Sequence, residues 1–135
     1  MEKQSFKILL IDDDEMILKS LEKVFVGGGF EIITANDGEV GLIKALNQKP
    51  DLIITDIEMK QTDGMVLFDK IRESNLWGKK VPIILLTNFE TNQTILKHLA
   101  DNQPALHLFK SKVDPRQILS KAVELLSLNH LENEI

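Results

Sequence analysis

A chain of 135 residues is long enough to bury one core and too short for that core plus a conventional second domain, so one domain spanning 1–135, ordered over about 5–128, is expected. Its 43% hydrophobic and 27% charged residues suit a soluble globular protein, no apolar run approaches the roughly 20 residues that span a bilayer, and a net charge of -5 opposes direct nucleic-acid binding. The lack of cysteine excludes disulfides and thiolate metal sites, and with no signal-like start a cytoplasmic location is expected.

In chain order, short apolar runs alternate with stretches of helical spacing. Ile8-Leu9-Leu10-Ile11 reads as a first strand, and Ile17, Leu21 and Phe25 mark the buried face of a first helix. Gly27-Gly28-Gly29 reads as the cap and turn that end this helix, since a phosphate loop would follow a strand and end in Gly-Lys-Ser/Thr. A second strand at Ile32-Ile33 leads to a helix marked by Val40, Ile43 and Leu46, closed by Lys49-Pro50-Asp51. The third strand is Leu52-Ile53-Ile54 and the fourth Ile83 to Leu86, with Lys79-Lys80 expected in a solvated turn before it. The fifth runs from Leu106 to Phe109, and Asp114-Pro115 opens a last helix bearing Ile118, Ala122, Leu125 and Leu126. A frayed tail is expected from Asn129 to Ile135, with His98 and His130 on the surface. Five β-α repeats predict a doubly wound, five-stranded parallel sheet with helices on both faces, three layers of α/β/α.

In such a sheet, ligands gather beyond the carboxyl ends of the strands. Those ends carry Asp12-Asp13-Asp14, Asp56, Thr87 and Lys110. Carboxylates brought together at one edge repel by about 4 kcal/mol per pair at 4 Å with an effective dielectric near 20, so a compensating cation is required. Hard oxygen donors suit Mg²⁺. Thr87 is placed to hydrogen-bond a phosphoryl oxygen and Lys110 to bring it positive charge, which leaves Asp56 as the natural nucleophile for an aspartyl phosphate.

The motifs ILLIDDDE, DLIITDIEMKQTDG, PIILLT and LHLFKS occur in the order of the response-regulator receiver family of two-component signalling, and the chain resembles that family over nearly its whole length. The resemblance implies a flavodoxin-like, CheY-like fold with strand order 2-1-3-4-5 and five helices. It implies Asp56 as phosphoacceptor, with Thr87 and Lys110 assisting. The Mg²⁺ ligands it implies are Asp13 directly, Asp12 through water, Asp56 and the Glu58 backbone carbonyl. Asp14 is expected to cap the first helix. The implied partners are a sensor histidine kinase or a histidine phosphotransfer protein upstream and another protein downstream. A homodimer through the fourth helix, fifth strand and fifth helix is a further possibility of the family.

Two other readings compete with this one. An Mg²⁺-dependent phosphohydrolase with an aspartate nucleophile would use Glu58 as its second acid. A flavodoxin-like cofactor binder would need a phosphate loop after the first strand, where Asp12-Asp13-Asp14 would repel the phosphate.

The chain also departs from the family pattern. Lys60 follows Met59 where the family usually has proline, which is expected to loosen the turn before Asp63-Gly64. Ser111 replaces the proline that commonly follows the lysine with a cis bond; a cis bond to serine would cost about 3 kcal/mol. Asn88 is larger than the usual small residue and narrows the phosphate entrance. His107 stands at the aromatic switch position, and Glu58 and Phe89 are expected to set how long the phosphate survives.

Overall fold

Aliphatic runs with no polar alternation need apolar cover on both faces. Each becomes a parallel strand in the structure, a computed structural model that describes residues 5–88 and 93–134. The strands are β1 (Lys7–Ile11), β2 (Glu31–Ala35), β3 (Leu52–Asp56), β4 (Ile83–Thr87) and β5 (Ala105–Phe109), in the order β2-β1-β3-β4-β5. The register pairs Leu9 with Ile33 and Ile53, Ile54 with Ile84, and Ile84 with Leu106, so the carboxyl ends of the strands finish at one level.

Side chains alternate between the two faces. Leu9, Ile11, Ile53, Ile83 and Leu85 pack with Ala45, Leu67, Phe68, Ile71 and Leu99, which come from helices α2 (Gly38–Gln48), α3 (Gly64–Arg72) and α5 (Gln93–Asp101). Ile8, Leu10, Leu52, Ile54, Ile84 and Leu86 pack with Leu18, Leu21, Phe25, Ile118, Ala122 and Leu126 of α1 (Glu15–Gly27) and α6 (Pro115–Glu134). Each fully buried Leu, Ile or Phe stabilises by about 1.5–3 kcal/mol, and β1, β3 and β4 contribute on both sides. The expected three layers and strand order are present.

Helix ends follow their capping residues. The Asp14 carboxylate accepts from the Met16 and Ile17 amides, Asp37 from Val40, and Asp63 from Met65. Gly28 caps the end of α1, and Gly29, at φ 91°, makes the left-handed turn that Gly27-Gly28-Gly29 was expected to make.

Three expectations are corrected. A sixth helix, α4 (Leu76–Lys80), lies between α3 and β4, so the expected fourth and fifth helices are α5 and α6. It contains Lys79 and Lys80, which are exposed in a helical turn capped by Asn75. Five residues are too few to show helical periodicity, which hides α4 from a pattern search. The last helix continues through Glu134 instead of fraying from Asn129, because no glycine or proline interrupts it. His98 is half-buried: its ring meets the Phe68 ring edge at 5.9 Å and its Nε2 lies 2.5 Å from Asp69 Oδ1, joining α5 to α3. The His130 side chain lies outside the described residues.

At the amino ends of β4 and β5, Arg72 is buried with no carboxylate partner among the described residues. Its Nε donates to the Asn102 carbonyl, Nη1 to those of Gly78 and Val81, and Nη2 to that of Pro104, at 2.7–2.9 Å. The guanidinium also lies over the Phe68 ring, 5.0 Å from its centroid. Burial lowers its pKa from the ordinary arginine value to about 10, still charged at neutral pH. One side chain thereby joins α3, α4 and the entries to β4 and β5.

Candidate functional site

Strand ends and caps together place the reactive side chains. Asp12 follows β1 directly, and its Oδ1 accepts the Asp14 amide at 2.9 Å, which fixes the carboxylate as the chain turns into α1. Asp56 ends β3. Close packing behind it depends on Gly64, whose amide donates to the Ile57 carbonyl at 2.8 Å. A Cβ on Gly64 would stand 2.3 Å from the Asp56 carbonyl oxygen and 2.7 Å from Ile57 Cα. Asp63-Gly64 is therefore a backbone contact as well as the start of α3.

Asp12, Asp13 and Asp56 each bring one carboxylate oxygen within 4.8 Å of the other two. Asp12 and Asp56 are 1% and 2% exposed, so their charges are largely withdrawn from water. The ammonium of Lys110 reaches across from the end of β5, 2.9 Å from Asp12 Oδ2 and 3.2 Å from Asp56 Oδ2. Burial, only partly offset by Lys110 and reinforced by the Asp12 charge, raises the Asp56 pKa from 3.8 to about 6. For Lys110, burial pulls downward, but the hydrogen bond and charge of Asp12, together with Asp56, hold its pKa above the ordinary lysine value. Three carboxylates against one ammonium leave a negative excess, and an all-oxygen donor set with that excess suits a small hard divalent cation.

Thr87 ends β4 and is 2% exposed. Its hydroxyl donates to Glu58 Oε1, and the Asn88 amide donates to Glu58 Oε2 at 3.3 Å. The Glu58 amide in turn donates to Asp56 Oδ1 at 3.3 Å. Asp12, Asp13, Asp56, Thr87 and Lys110, all from the strand-end pattern, thus stand at one edge of the sheet, and Glu58, which is not part of that pattern, joins them.

The remaining expected residues lie around this edge. His107, on β5, is half-buried, with its ring edge-on to Phe109 at 5.6 Å. Phe89 lies outside the described residues. The Lys110–Ser111 bond is trans, and a short 3-10 turn (Lys110–Lys112) carries the chain away from the site.

Lys60 does not simply loosen its loop. Its backbone amide donates to Asp13 Oδ2 at 3.0 Å, a hydrogen bond that proline has no N–H to make. A main-chain donor has no residue-type signal, so this contact is missed by motif reading. The Glu58 side chain had a positional signal, two residues past Asp56, without an indication of which groups it would engage.

Comparison with known proteins agrees with this geometry. The family model described as response regulator receiver domain matches residues 8–123. The alkaline phosphatase synthesis transcriptional regulatory protein PhoP of Bacillus subtilis is 40% identical over 81 residues, which cover 60% of this chain and 32% of PhoP. The transcriptional regulatory protein GlrR of Escherichia coli is 32% identical over 117 residues, 87% of this chain and 25% of GlrR. The chain thus spans a third or less of the length of these relatives. Among solved structures, a CheY-like response regulator receiver domain protein of Methanospirillum hungatei superposes with a TM-score of 0.84 at 26% identity, covering 96% of this chain and 99% of that one. The chain belongs to the response regulator receiver domain family, a family of signalling phosphoacceptors.

Proposed function

We propose that Asp56 accepts a phosphoryl group from a phosphohistidine on a sensor histidine kinase or a histidine phosphotransfer protein, and that the phosphorylated chain signals by changing which protein it binds. The observation that carries this is the buried Asp56 carboxylate, 3.2 Å from the Lys110 ammonium and within 4.8 Å of the Asp12 and Asp13 oxygens. An Asp56 carboxylate oxygen attacks phosphorus; an O–P bond forms as the P–N bond breaks, and the electron pair returns to the imidazole nitrogen, which takes up a proton from solvent. Lys110 supplies charge to the phosphoryl oxygens, and the Thr87 hydroxyl donates to one of them. Asp12, Asp13, Asp56 and the Glu58 backbone carbonyl would hold Mg²⁺, which supplies positive charge against the phosphoryl group when bound.

Drawing Thr87 and Lys110 toward the phosphate biases the surface made by α5, β5 and α6, which serves a downstream protein or a second copy of the chain. His107 lies on this surface and is the residue whose ring position would change with Thr87. Phe89 and Glu58 would set the phosphate lifetime. The acidic balance of the chain, -5 overall, favours a protein target over direct contact with nucleic acid.

The test is Mg²⁺-dependent labelling from a small phosphodonor such as acetyl phosphate. The parent is expected to take one phosphoryl group per chain and Asp56→Asn none. Labelling that persists in Asp56→Asn would sink the assignment, and repeated turnover of a phosphate ester would favour a phosphohydrolase.

A further inference from the structure

We propose that the Glu58 carboxylate is a built-in competitor for the phosphoryl group, occupying in the resting protein two donors that a phosphoryl group on Asp56 would use. The proposal rests on Asp56 as acceptor. A phosphoryl group attached there needs donors beyond Lys110, and the adjoining strand end offers the Thr87 hydroxyl and the Asn88 amide. Both are engaged by Glu58, one through each carboxylate oxygen. A carboxylate and a phosphoryl group present the same feature to such donors, two oxygens sharing negative charge.

Position makes the competition direct. The Glu58 amide is bound to Asp56 Oδ1 at 3.3 Å, so the side chain that blocks the donors starts from the residue that touches the acceptor. Thr87 is buried whereas Glu58 is half-buried, so the carboxylate has a route to solvent and the hydroxyl does not. A phosphoryl group arriving beside Glu58 would meet a like charge at short range, in surroundings that screen it less than bulk water does. Glu58 must therefore leave when the phosphate takes the two donors. Phosphorylation then moves two groups, Thr87 inward and Glu58 outward.

A purely structural role for Glu58, tying the end of β4 to the loop after β3, makes the opposite prediction: its removal would disorder Thr87 and slow labelling. Two variants separate these roles, Glu58→Ala, which takes the carboxylate away from both donors, and Glu58→Gln, which keeps the shape and removes the charge. Labelling of Asp56 from acetyl phosphate with Mg²⁺ is expected to be about tenfold faster in Glu58→Ala, the rate equivalent of not having to break one charged hydrogen bond. Glu58→Gln should fall between Glu58→Ala and the parent.

The second readout needs neither metal nor donor. In the free protein, the Asn88 amide proton resonance should move upfield in both variants as its anionic acceptor is lost. Labelling of Glu58→Ala at or below the parent rate, with the parent still labelled on Asp56, overturns the competitor role and leaves the phosphoacceptor role standing. An Asn88 resonance that stays in place in Glu58→Ala overturns it too. A parent chain that takes no label on Asp56 removes both proposals together.

Discussion

At the carboxyl ends of the strands, Asp12, Asp13 and Asp56 share the ammonium of Lys110; at the amino ends of β4 and β5, the Arg72 guanidinium donates to four backbone carbonyls. Both sets of charges are largely buried, yet they bear on stability in opposite ways. Arg72 gives these main-chain carbonyls a charged donor where the strands begin, and only that of Pro104 is seen to take a second donor, the Ile83 amide, so the cation contributes to the fold. Burial, reinforced by the neighbouring Asp12 charge and only partly offset by Lys110, holds the Asp56 pKa up near 6, so its ionisation works against the fold. A receiver domain built in this way is anchored at one end of its sheet and left electrostatically unsatisfied at the other, the end to which the proposed function assigns a cation and a phosphoryl group.

This contrast can be broken by experiment, most strongly at Arg72. Arg72→Met should lower stability in urea unfolding by about 3 kcal/mol or more, because several carbonyls lose their donor at once. Arg72→Lys should recover only part of the loss, since one ammonium lacks the fork that reaches four oxygens. Labelling of Asp56 in the folded fraction should be unchanged in both; a large drop would mean that the two ends are not independent.

Next in size is Gly64→Ala, expected to cost about 1–3 kcal/mol, because the new methyl would collide with backbone atoms of Asp56 and Ile57. Unlike Arg72→Met, it should also slow labelling, since relief of the clash must shift the end of β3. Equal labelling rates would show that the acceptor position tolerates that shift.

Asp56→Asn should have the opposite sign, raising the stability of the metal-free protein by about 1–3 kcal/mol at neutral pH. The folded chain binds the Asp56 proton more tightly than the unfolded chain. Ionisation therefore costs stability as pH rises from 3.8 through about 6. The advantage of Asp56→Asn should be full above that window and vanish below it, which paired unfolding curves at pH 7.5 and pH 3.5 would show. Loss of stability at neutral pH would contradict the charge assignment. The smallest effect is expected for Asp14→Ala, about 1 kcal/mol for a lost helix cap, with little dependence on the site charges.

Legibility in the sequence follows the same division. The strands stand out because burial on both faces demands runs such as Ile8-Leu9-Leu10-Ile11, and the acidic edge stands out because Asp12, Asp13 and Asp56 directly follow or end those runs. Arg72 was not legible. Placed in the last turn of α3, it has the pattern of an ordinary solvated cation near a helix end, and its partners are main-chain atoms of residues 78, 81, 102 and 104 that carry no side-chain signature. Helix α4 escaped for want of length, and the Asp69–His98 contact because its partners sit 29 residues apart on different helices. Glu58 was legible as a position and silent as a contact, since only the fold brings Thr87 and Asn88 to its two oxygens.

The amide of Lys60 also bears on how such a loop changes through descent. Once Asp13 leans on that N–H, a proline at the position no longer merely stiffens the turn; it takes a donor away from a carboxylate that faces the binding edge. Putting proline at this position therefore removes a support from Asp13 at the same time as it restricts the turn. Substitution of Lys60 by other non-proline residues should therefore be tolerated more readily than substitution by proline.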